Sequence, residues 1–401
     1  MIIENNINVI LGELNLEDET RVVCPFDEDL IDFVGDLSRS ILRNKNCKQF
    51  PDIITFGYWC RPSNIKKLKS EYDDLHRRKG LGIVLHIAPS NVPVNFAFSF
   101  IFGLLSGNSN IIKLPSKEDQ RINLLCSIIQ EVLSSEKYSF LSRRTLFIKY
   151  ENQEEITKQI SSYCMGRMIW GSDETILKVK SIQASPRCID ISFPDRYSLS
   201  IIHSTSILKM EESLLNLFVD KFFNDTYLMD QNACSSAKLI FWLASDKQEA
   251  QKAQSKFWDK MLIKLLNHYE LSQKSSIDKL TKLYVDLSLN EEIDNGYFES
   301  SLLYRISMKE IPKDINKFNG NSGYFYELII SELKDLELIM NKKIQTLTYY
   351  GIDGDDIFEI IRNSNKIGID RIVPVGQALD IGIIWDGFDL IRSLSKVIDL
   401  K

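Results

Sequence analysis

The stretch GIVLHIAPSNVPVNFAFSFIFGLLSGNSNIIKLPS, residues 82–116, decides the fold of this chain. Its two ends, GIVLHIAP (82–89) and NIIKLP (110–115), are short apolar runs rich in isoleucine, which predicts two strands. The longer apolar run between them, residues 92–106, predicts a buried helix. A strand, a helix and a strand in this order predict a βαβ unit, in which the two strands run parallel.

The alternation of strands and helices continues to about residue 182. Further strands are predicted at 145–150 and 167–170, and further helices at 117–133, 153–164 and 172–182. Ser116 and Ser172 are the predicted caps of the first and last of these helices. This order predicts an α/β fold with a doubly wound parallel sheet, which binds ligands beyond the carboxyl ends of its strands.

A second α/β domain is predicted to follow, with strands at 197–202 and 238–244 and helices at 210–225 and 247–269. Glycine-punctuated strands and a last helix are predicted over the final 35 residues. We therefore expect three parts: a cofactor-binding domain, 1–200, a catalytic domain, 201–365, and a C-terminal segment, 366–401. The first 75 residues are expected to be a helical or extended lead-in, and the last segment to return to the cofactor domain or to an oligomer interface.

The composition excludes several classes of function. The 401 residues carry a net charge of −6 with no basic patch, which argues against nucleic-acid binding. The most apolar stretch, 92–105, is shorter than the roughly 20 residues that a membrane span needs. Without a secretion signal, the chain is expected in the cytoplasm. The seven cysteines and four histidines are scattered, so neither a metal site nor a disulfide framework is predicted.

Several residues that could take part in catalysis or ligand binding lie near the ends of the predicted strands. Asn91 could donate its amide to an oxyanion or could cap a turn, and Lys113 could bind a ribose or phosphate or lie on the surface. Gly171 and Ser172 could admit a pyrophosphate at a helix N-terminus or could form an ordinary cap. Cys234, in the polar turn DQNACSS, could be a nucleophile or a small buried residue.

The order of these residues resembles that of the aldehyde dehydrogenase superfamily. APSNVP (88–93) resembles its P-W-N-F-P motif, and GNSNIIKLPS (107–116) resembles its G-N-x-x-x-x-K segment. IWGSDET (169–175) resembles its F-x-G-S segment, and DQNACSS (230–236) resembles the G-Q-x-C segment of the nucleophile. Within the superfamily, QTLTYYGI (345–352) and GIDRIVPVGQALDIGIIWDG (368–387) resemble the LuxC-type acyl-CoA reductases. The resemblance runs from about residue 80 to the C-terminus.

The resemblance implies a fold and a set of roles. The fold would be aldehyde dehydrogenase-like, with a doubly wound cofactor domain and a second α/β catalytic domain. Cys234 would be the nucleophile, and Asn91 with the backbone N–H of Cys234 would form the oxyanion hole. Gly171 and Ser172 would cradle the cofactor pyrophosphate, and Lys113 would bind the adenine-side ribose or its 2′-phosphate. No metal ligand is implied.

Two departures from the superfamily pattern favour a reductase. Oxidising members carry a water-activating Glu, whereas the matching stretch IDISFPDRYSLS (189–200) contains none and places Ser192 at that position. A base that activates water would destroy an acyl-cysteine that waits for hydride. Where NAD-preferring members often hold a Glu against the ribose, this chain has Ser116, so a 2′-phosphate meets no repulsion there. NADPH is therefore the expected cofactor, with NADH as the alternative.

The predicted activity is the reduction of a long-chain acyl thioester to an aldehyde through a covalent acyl-cysteine. The substrate is acyl-CoA or an acyl-protein supplied by an acyl-activating partner, and a homo-oligomer is expected. Three alternatives stay open from the sequence: a cofactor-free cysteine acyltransferase, a catalytically silent scaffold, and a CoA-acylating aldehyde dehydrogenase that runs the same chemistry backwards.

Overall fold

The structure is a computed structural model that describes residues 7–13, 16, 22–151 and 153–401. The remaining residues, which include part of the predicted N-terminal lead-in, lie outside the described part. The chain divides into two compact units. The first unit holds the chain up to Pro194 together with Ile383–Lys401, and the second unit is Asp195–Gly382.

The described part of the first unit is built on a six-stranded sheet in the order β1-β5-β4-β3-β6-β7. β1 is antiparallel to β5, and the other neighbours are parallel. A short strand, β2, lies outside this sheet. The strands are β1 Asn8–Gly12, β2 Arg78–Gly80, β3 Ile83–Ile87, β4 Ser109–Lys113, β5 Thr145–Lys149, β6 Gly166–Trp170 and β7 Ile189–Phe193.

Helices cover both faces of this sheet because side chains of a strand alternate between its faces. Leu85 and Ile87 pack in one apolar cluster with residues of α7 and α8, whereas His86 lies on the opposite face and contacts Ser99 of α4. All residues of α4 are buried, as its apolar sequence predicts. The helices are α1 Glu28–Arg43, α2 Pro51–Trp59, α3 Pro62–Ser70, α4 Asn95–Leu105, α5 Gln120–Leu133, α6 Ser139–Ser142, α7 Glu154–Tyr163 and α8 Asp173–Ser181.

The second unit has a seven-stranded sheet, with its strands in the order β10-β11-β12-β9-β8-β13-β14 across the described residues. β10 is antiparallel to β11, and the other neighbours are parallel. The strands are β8 Tyr197–His203, β9 Ala237–Leu243, β10 Ile293–Ser300, β11 Leu303–Met308, β12 Tyr324–Ile330, β13 Ile344–Tyr350 and β14 Arg371–Pro374.

Each face of the second sheet carries its own apolar core. A buried carboxylate ties one of these cores together, because Glu327 accepts hydrogen bonds from the indoles of Trp242 and Trp258 and pairs with Arg305. The helices of this unit are α9 Ser204–Lys209, α10 Glu212–Thr226, α11 Lys247–His268, α12 Gln273–Leu289, α13 Leu336–Ile339 and α14 Gly354–Asn363.

The last residues return to the first unit. They form a small hairpin, β15 Ile384–Trp385 and β16 Phe388–Asp389, one helical turn, α15 Leu390–Ser393, and the strand β17 Ser395–Val397. β17 pairs antiparallel with β2. Arg78 of β2 fixes this return, because its guanidinium donates to the backbone oxygens of Arg392 and Ser395 and to the Ser395 hydroxyl.

The α/β fold class and the predicted strands and helices of both units are confirmed, with ends shifted by one to three residues. The prediction of Ser116 as a cap is wrong, because Asp119 accepts the capping hydrogen bond and the helix begins at Gln120.

The helix predicted at the C-terminus is a single turn followed by a strand. The C-terminal segment predicted as one part is divided between the units, because β14 pairs with β13 of the second sheet. β7 was not predicted.

Among the described residues, no helix combines the length and the apolar character needed to cross a membrane. Within the same residues, no group of three or more His, Cys, Asp or Glu side chains is arranged to hold a metal ion.

Candidate active site

The structure brings three of the predicted residues to one edge of the first sheet. β4, β3 and β6 are parallel neighbours, and Ile87 at the end of β3 is in register with Lys113 of β4 and Ile169 of β6. Asn91 follows β3, Lys113 ends β4, and Gly171 follows β6. The strand order changes direction between β3 and β6, and ligands of doubly wound sheets bind at such a point.

Lys113 is half-buried, and its ammonium lies 4.9 Å from the centre of the Tyr150 ring. Burial lowers the pKa of Lys113, and the charge of Lys178 on α8 lowers this pKa further. The positive charges of Lys113 and Lys178 therefore repel each other at this edge of the sheet. A bound anion would reduce this repulsion. Lys178 could not be recognised from sequence, because α8 brings it towards Lys113 only in the folded chain. Ser116 is exposed and carries no capping bond.

Gly171 and Ser172 lie between β6 and α8, where the sequence placed them. A Cβ atom on Gly171 would come within 3.1 Å of the Thr175 side chain, so the backbone is closely packed there. The Ser172 hydroxyl accepts the backbone N–H of Thr175 at 3.2 Å, which confirms Ser172 as the helix cap. Asp173 and Glu174 occupy the first turn, and their carboxylates oppose an anionic ligand at this helix end.

The stretch 189–200, which contains no Glu, covers strand β7 and the start of β8. Ser192 is half-buried and its hydroxyl has no hydrogen-bond partner within the described structure. Asp190, the nearest carboxylate on the strand, is bound by both arms of the Arg167 guanidinium at 2.7 and 2.8 Å. A carboxylate held in such a bidentate pair is poorly placed to accept a proton from water.

Cys234 lies in the turn that leads into β9, at the amino end of that strand, and is half-buried. Its backbone oxygen accepts the Ser198 hydroxyl at 2.6 Å, and the same hydroxyl accepts the backbone N–H of Thr346 at 3.3 Å. The turn is therefore attached to β8 and, through Ser198, to β13.

Gln231 anchors the turn of residues 230–236, which we call the nucleophile turn after the role predicted for Cys234. The Gln231 side chain is fully buried and donates to the backbone oxygens of Ala237 at 2.9 Å and Tyr324 at 3.2 Å. Its amide oxygen accepts the N–H groups of Gly323 at 3.0 Å and Tyr324 at 3.1 Å. Asp230 and Gln231 both have positive φ, 50° and 59°. This backbone conformation is unfavourable for residues other than glycine, and the hydrogen bonds of Gln231 hold the turn in it.

Two cations of the second unit, the buried Lys238 and the half-buried Arg371, act electrostatically on Cys234. Burial lowers the pKa of Lys238 to about 7, and the negative charge of a Cys234 thiolate acts in the opposite direction. Burial also lowers the pKa of Arg371, against the nearby negative charges of Asp380, Asp225 and the thiolate. Lys238 lies outside the segments recognised from sequence, and Arg371 lies inside the recognised stretch 368–387 but was given no role there.

Five of the other six cysteines lie where burial disfavours a thiolate. Cys188 is half-buried, and burial raises its pKa to about 11. Burial also raises the pKa values of four buried cysteines, at positions 47, 60, 126 and 164. Cys24 is exposed, so it is not a core residue.

The fold is like that of the aldehyde dehydrogenases of known structure. The chain belongs to the acyl-CoA reductase (LuxC) family, whose sequence model matches residues 61–397. Membership of this family supports an oxidoreductase that acts on acyl-CoA. No curated protein sequence matches the chain.

Solved structures with the same fold are distant in sequence. A 1-pyrroline-5-carboxylate dehydrogenase from Thermus with bound NAD has a TM-score of 0.61 at 12% identity, over 98% of this chain and 89% of its own. An NAD-dependent benzaldehyde dehydrogenase from Corynebacterium glutamicum has a TM-score of 0.61 at 10% identity, over 98% and 92%. Aldehyde dehydrogenase 21 from Physcomitrella patens, in complex with the product succinate, has a TM-score of 0.62 at 10% identity, over 92% and 84%.

Proposed function

We propose that this protein reduces a long-chain fatty acyl thioester to the aldehyde with NADPH, through a covalent acyl group on Cys234. The family match over residues 61–397 is the observation that carries the proposal. The arrangement of the nucleophile turn supports it, because Cys234 is accessible enough to react while its backbone is fixed by Ser198 and Gln231.

Each step has a residue of this chain assigned to it. The Cys234 thiolate attacks the thioester carbonyl, the carbon–sulfur bond to CoA breaks, and the CoA thiolate leaves and takes a proton from solvent. Asn91 and the backbone N–H of Cys234 are the proposed donors to the tetrahedral oxyanion. A bound reduced nicotinamide supplies the hydride. The resulting thiohemiacetal oxyanion then collapses, expels the Cys234 thiolate and releases the aldehyde.

Reduction rather than hydrolysis is supported by strand β7. Ser192 stands where hydrolytic relatives carry a carboxylate, and Asp190 is engaged by Arg167. Strand β7 therefore offers no free carboxylate among its described residues that could activate water.

NADPH rather than NADH is supported by the charges at the edge of the first sheet. Lys113 and Lys178 would flank the adenine-side ribose, and their mutual repulsion would be relieved by a 2′-phosphate. Ser116 adds no carboxylate against it. Gly171 and Ser172 would hold the pyrophosphate, in spite of the two carboxylates of the first turn of α8.

Self-association is part of the proposal, and a second copy of the chain is the proposed partner. Helix α12 supports it, because its large apolar residues Ile277, Leu280, Tyr284 and Leu287 are exposed. Exposed apolar stripes of this kind are typical of subunit interfaces. Light scattering on the full chain would measure its mass, and a strict monomer would contradict this part. The acyl donor, CoA or an acyl-activating protein, and a cytoplasmic location stay predictions.

The proposal is tested by incubating the purified chain with a series of acyl-CoA substrates and either NADPH or NADH, with aldehyde measured by mass spectrometry. We expect aldehyde from long chains, faster with NADPH, and none from Cys234→Ala. Cys188→Ala is the matched control and should keep the activity. Consumption of acyl-CoA with no aldehyde under either cofactor would favour the acyltransferase alternative, and no consumption at all would favour the scaffold.

A further inference from the structure

Cys234 needs a group that favours its thiolate, because only the thiolate attacks a thioester. The sequence offers no histidine close to it, since the four histidines stand at positions 76, 86, 203 and 268. The second unit instead contributes positive charge from two strands, with the buried Lys238 on β9 and the half-buried Arg371 on β14.

The buried Lys238 is hydrogen-bonded to the nucleophile turn. It follows Cys234 by four residues, and its ammonium donates to the backbone oxygen of Gln231, which precedes Cys234 by three. The ammonium also donates to the backbone oxygen of Gly320 at 2.8 Å and to the side-chain oxygen of Asn321. These three acceptors are neutral oxygens, so they satisfy three N–H donors and leave the positive charge uncompensated.

This contact set favours the ammonium over the neutral amine. A neutral amine has two N–H donors, so it would leave one of the three buried oxygens without a donor. Lys238 is 6% exposed, and water therefore screens its charge poorly.

Arg371 of β14 supplies the second charge. It is in register with Thr346, whose N–H donates to Ser198, and Ser198 donates to the backbone oxygen of Cys234. The Arg371 guanidinium donates to three backbone oxygens, those of residues 377, 378 and 380, at 2.6–2.8 Å.

Carboxylates offset part of the Arg371 charge. Asp225 of α10 is buried and accepts the N–H groups of Gly376 at 2.6 Å and Ala378 at 2.9 Å, on the same loop that Arg371 holds. Asp380 is the second carboxylate that faces Arg371. The net positive charge that reaches Cys234 should therefore come mainly from Lys238.

We infer that Lys238, assisted by Arg371, is a positioning residue that holds Cys234 as a thiolate. The use of that thiolate in acyl transfer rests on the function proposed above, whereas the inference itself concerns only the ionisation of Cys234. The two groups titrate as a pair, so the midpoint of thiolate formation belongs to the Cys234–Lys238 pair rather than to either residue.

The test measures the rate of alkylation of Cys234 by iodoacetamide between pH 5 and pH 10, resolved by peptide mass spectrometry. In the wild type we expect the midpoint well below the value of about 8.5 for an ordinary thiol. In Lys238→Met we expect it to rise by about one pH unit, which makes alkylation at pH 7 about ten-fold slower. Cys24, exposed and in the first unit, gives an internal reference for the reagent in each sample.

Lys279→Met is the matched control. Lys279 is also a buried lysine, and burial lowers its pKa to about 7 as well. Its ammonium donates to the backbone oxygens of Ser301 at 2.9 Å and Ser322 at 2.8 Å, so it holds the same 320–322 segment that Lys238 holds. Lys279 has no hydrogen bond to the turn that carries Cys234, whereas Lys238 bonds to Gln231 of that turn, so we expect Lys279→Met to keep the wild-type midpoint.

An unchanged midpoint in Lys238→Met, or the same rise in both variants, would overturn the inference. If Lys238→Met does not fold, the wild type still decides the question. Unfolding in urea separates both cations from Cys234, so its midpoint must rise towards the ordinary value, and equal midpoints in the folded and unfolded chain would refute the claim. Alkylation uses neither acyl-CoA nor cofactor. Its result is therefore independent of the outcome of the reductase assay.

Discussion

Replacement of Gln231 by methionine is the most informative perturbation of the nucleophile turn. Methionine nearly matches the volume of glutamine, so the change removes hydrogen bonds with little change in packing. Four bonds are lost: two that Gln231 donates, to Ala237 and Tyr324, and two that it accepts, from Gly323 and Tyr324. At a net value of about 1 kcal/mol for each bond, the second unit should lose about 4 kcal/mol of stability.

The assay is hydrogen exchange of the full chain at increasing urea, read on peptides that cover β9 and β12. This readout follows the second unit directly, whereas a bulk signal would mix two units that need not unfold together. Asn232→Met is the control, because Asn232 is the exposed next residue in the chain. A loss below about 1 kcal/mol in Gln231→Met, or an equal loss in the control, would refute the view that Gln231 anchors this turn.

Three further predictions concern the chemistry. Ser192→Glu should restore a water-activating base, so product analysis should show free fatty acid at the expense of aldehyde, and an unchanged product ratio would contradict the assignment of Ser192. Asn91→Ala should lower the acyl-transfer rate by about 10²–10³, or roughly 3–4 kcal/mol of barrier, and a loss below about ten-fold would remove Asn91 from the oxyanion hole. Lys113→Ala and Lys178→Ala should each lower the preference for NADPH over NADH by about ten-fold, near 1.4 kcal/mol, in steady-state kinetics, and an unchanged preference in both would contradict a 2′-phosphate site.

Four strands of the first sheet, β3 to β6, could be predicted from sequence because they are largely buried on both faces. Strands such as IVLHI (Ile83–Ile87) are then continuous apolar runs that stand out from the amphipathic helices between them. β7 was missed for the opposite reason. Its sequence, IDISF, mixes an exposed Ile189 with a half-buried Asp190, and the Arg167 partner that makes this aspartate acceptable lies on β6.

The two predicted helix caps show what local sequence can and cannot predict. Ser172 and Ser116 have similar local contexts, yet only Ser172 is a cap, because Asp119 offers a carboxylate one turn later and α5 begins after it. Local sequence leaves both positions open, and the loop length between β4 and α5 decides between them.

The residues that surround Cys234 lay beyond sequence reasoning. Lys238 and Gln231 flank the cysteine, but their roles depend on the segment 320–324, about 90 residues later, which supplies their partners. Arg371 depends on the register between β13 and β14. Such long-range pairs leave no local periodicity, so the motif around Cys234 indicated a nucleophile without indicating what favours its thiolate.

The central claim is that Cys234 carries the acyl group between thioester and aldehyde. The most direct measurement is a single-turnover experiment in which the chain is mixed with a labelled long-chain acyl-CoA without cofactor, and the acylated peptide is identified by mass spectrometry before NADPH is added. The account predicts a label on the Cys234 peptide that is absent from Cys234→Ala and leaves as aldehyde only after NADPH is added. A label on another residue, or discharge to aldehyde at the same rate from Cys234→Ala, would contradict it.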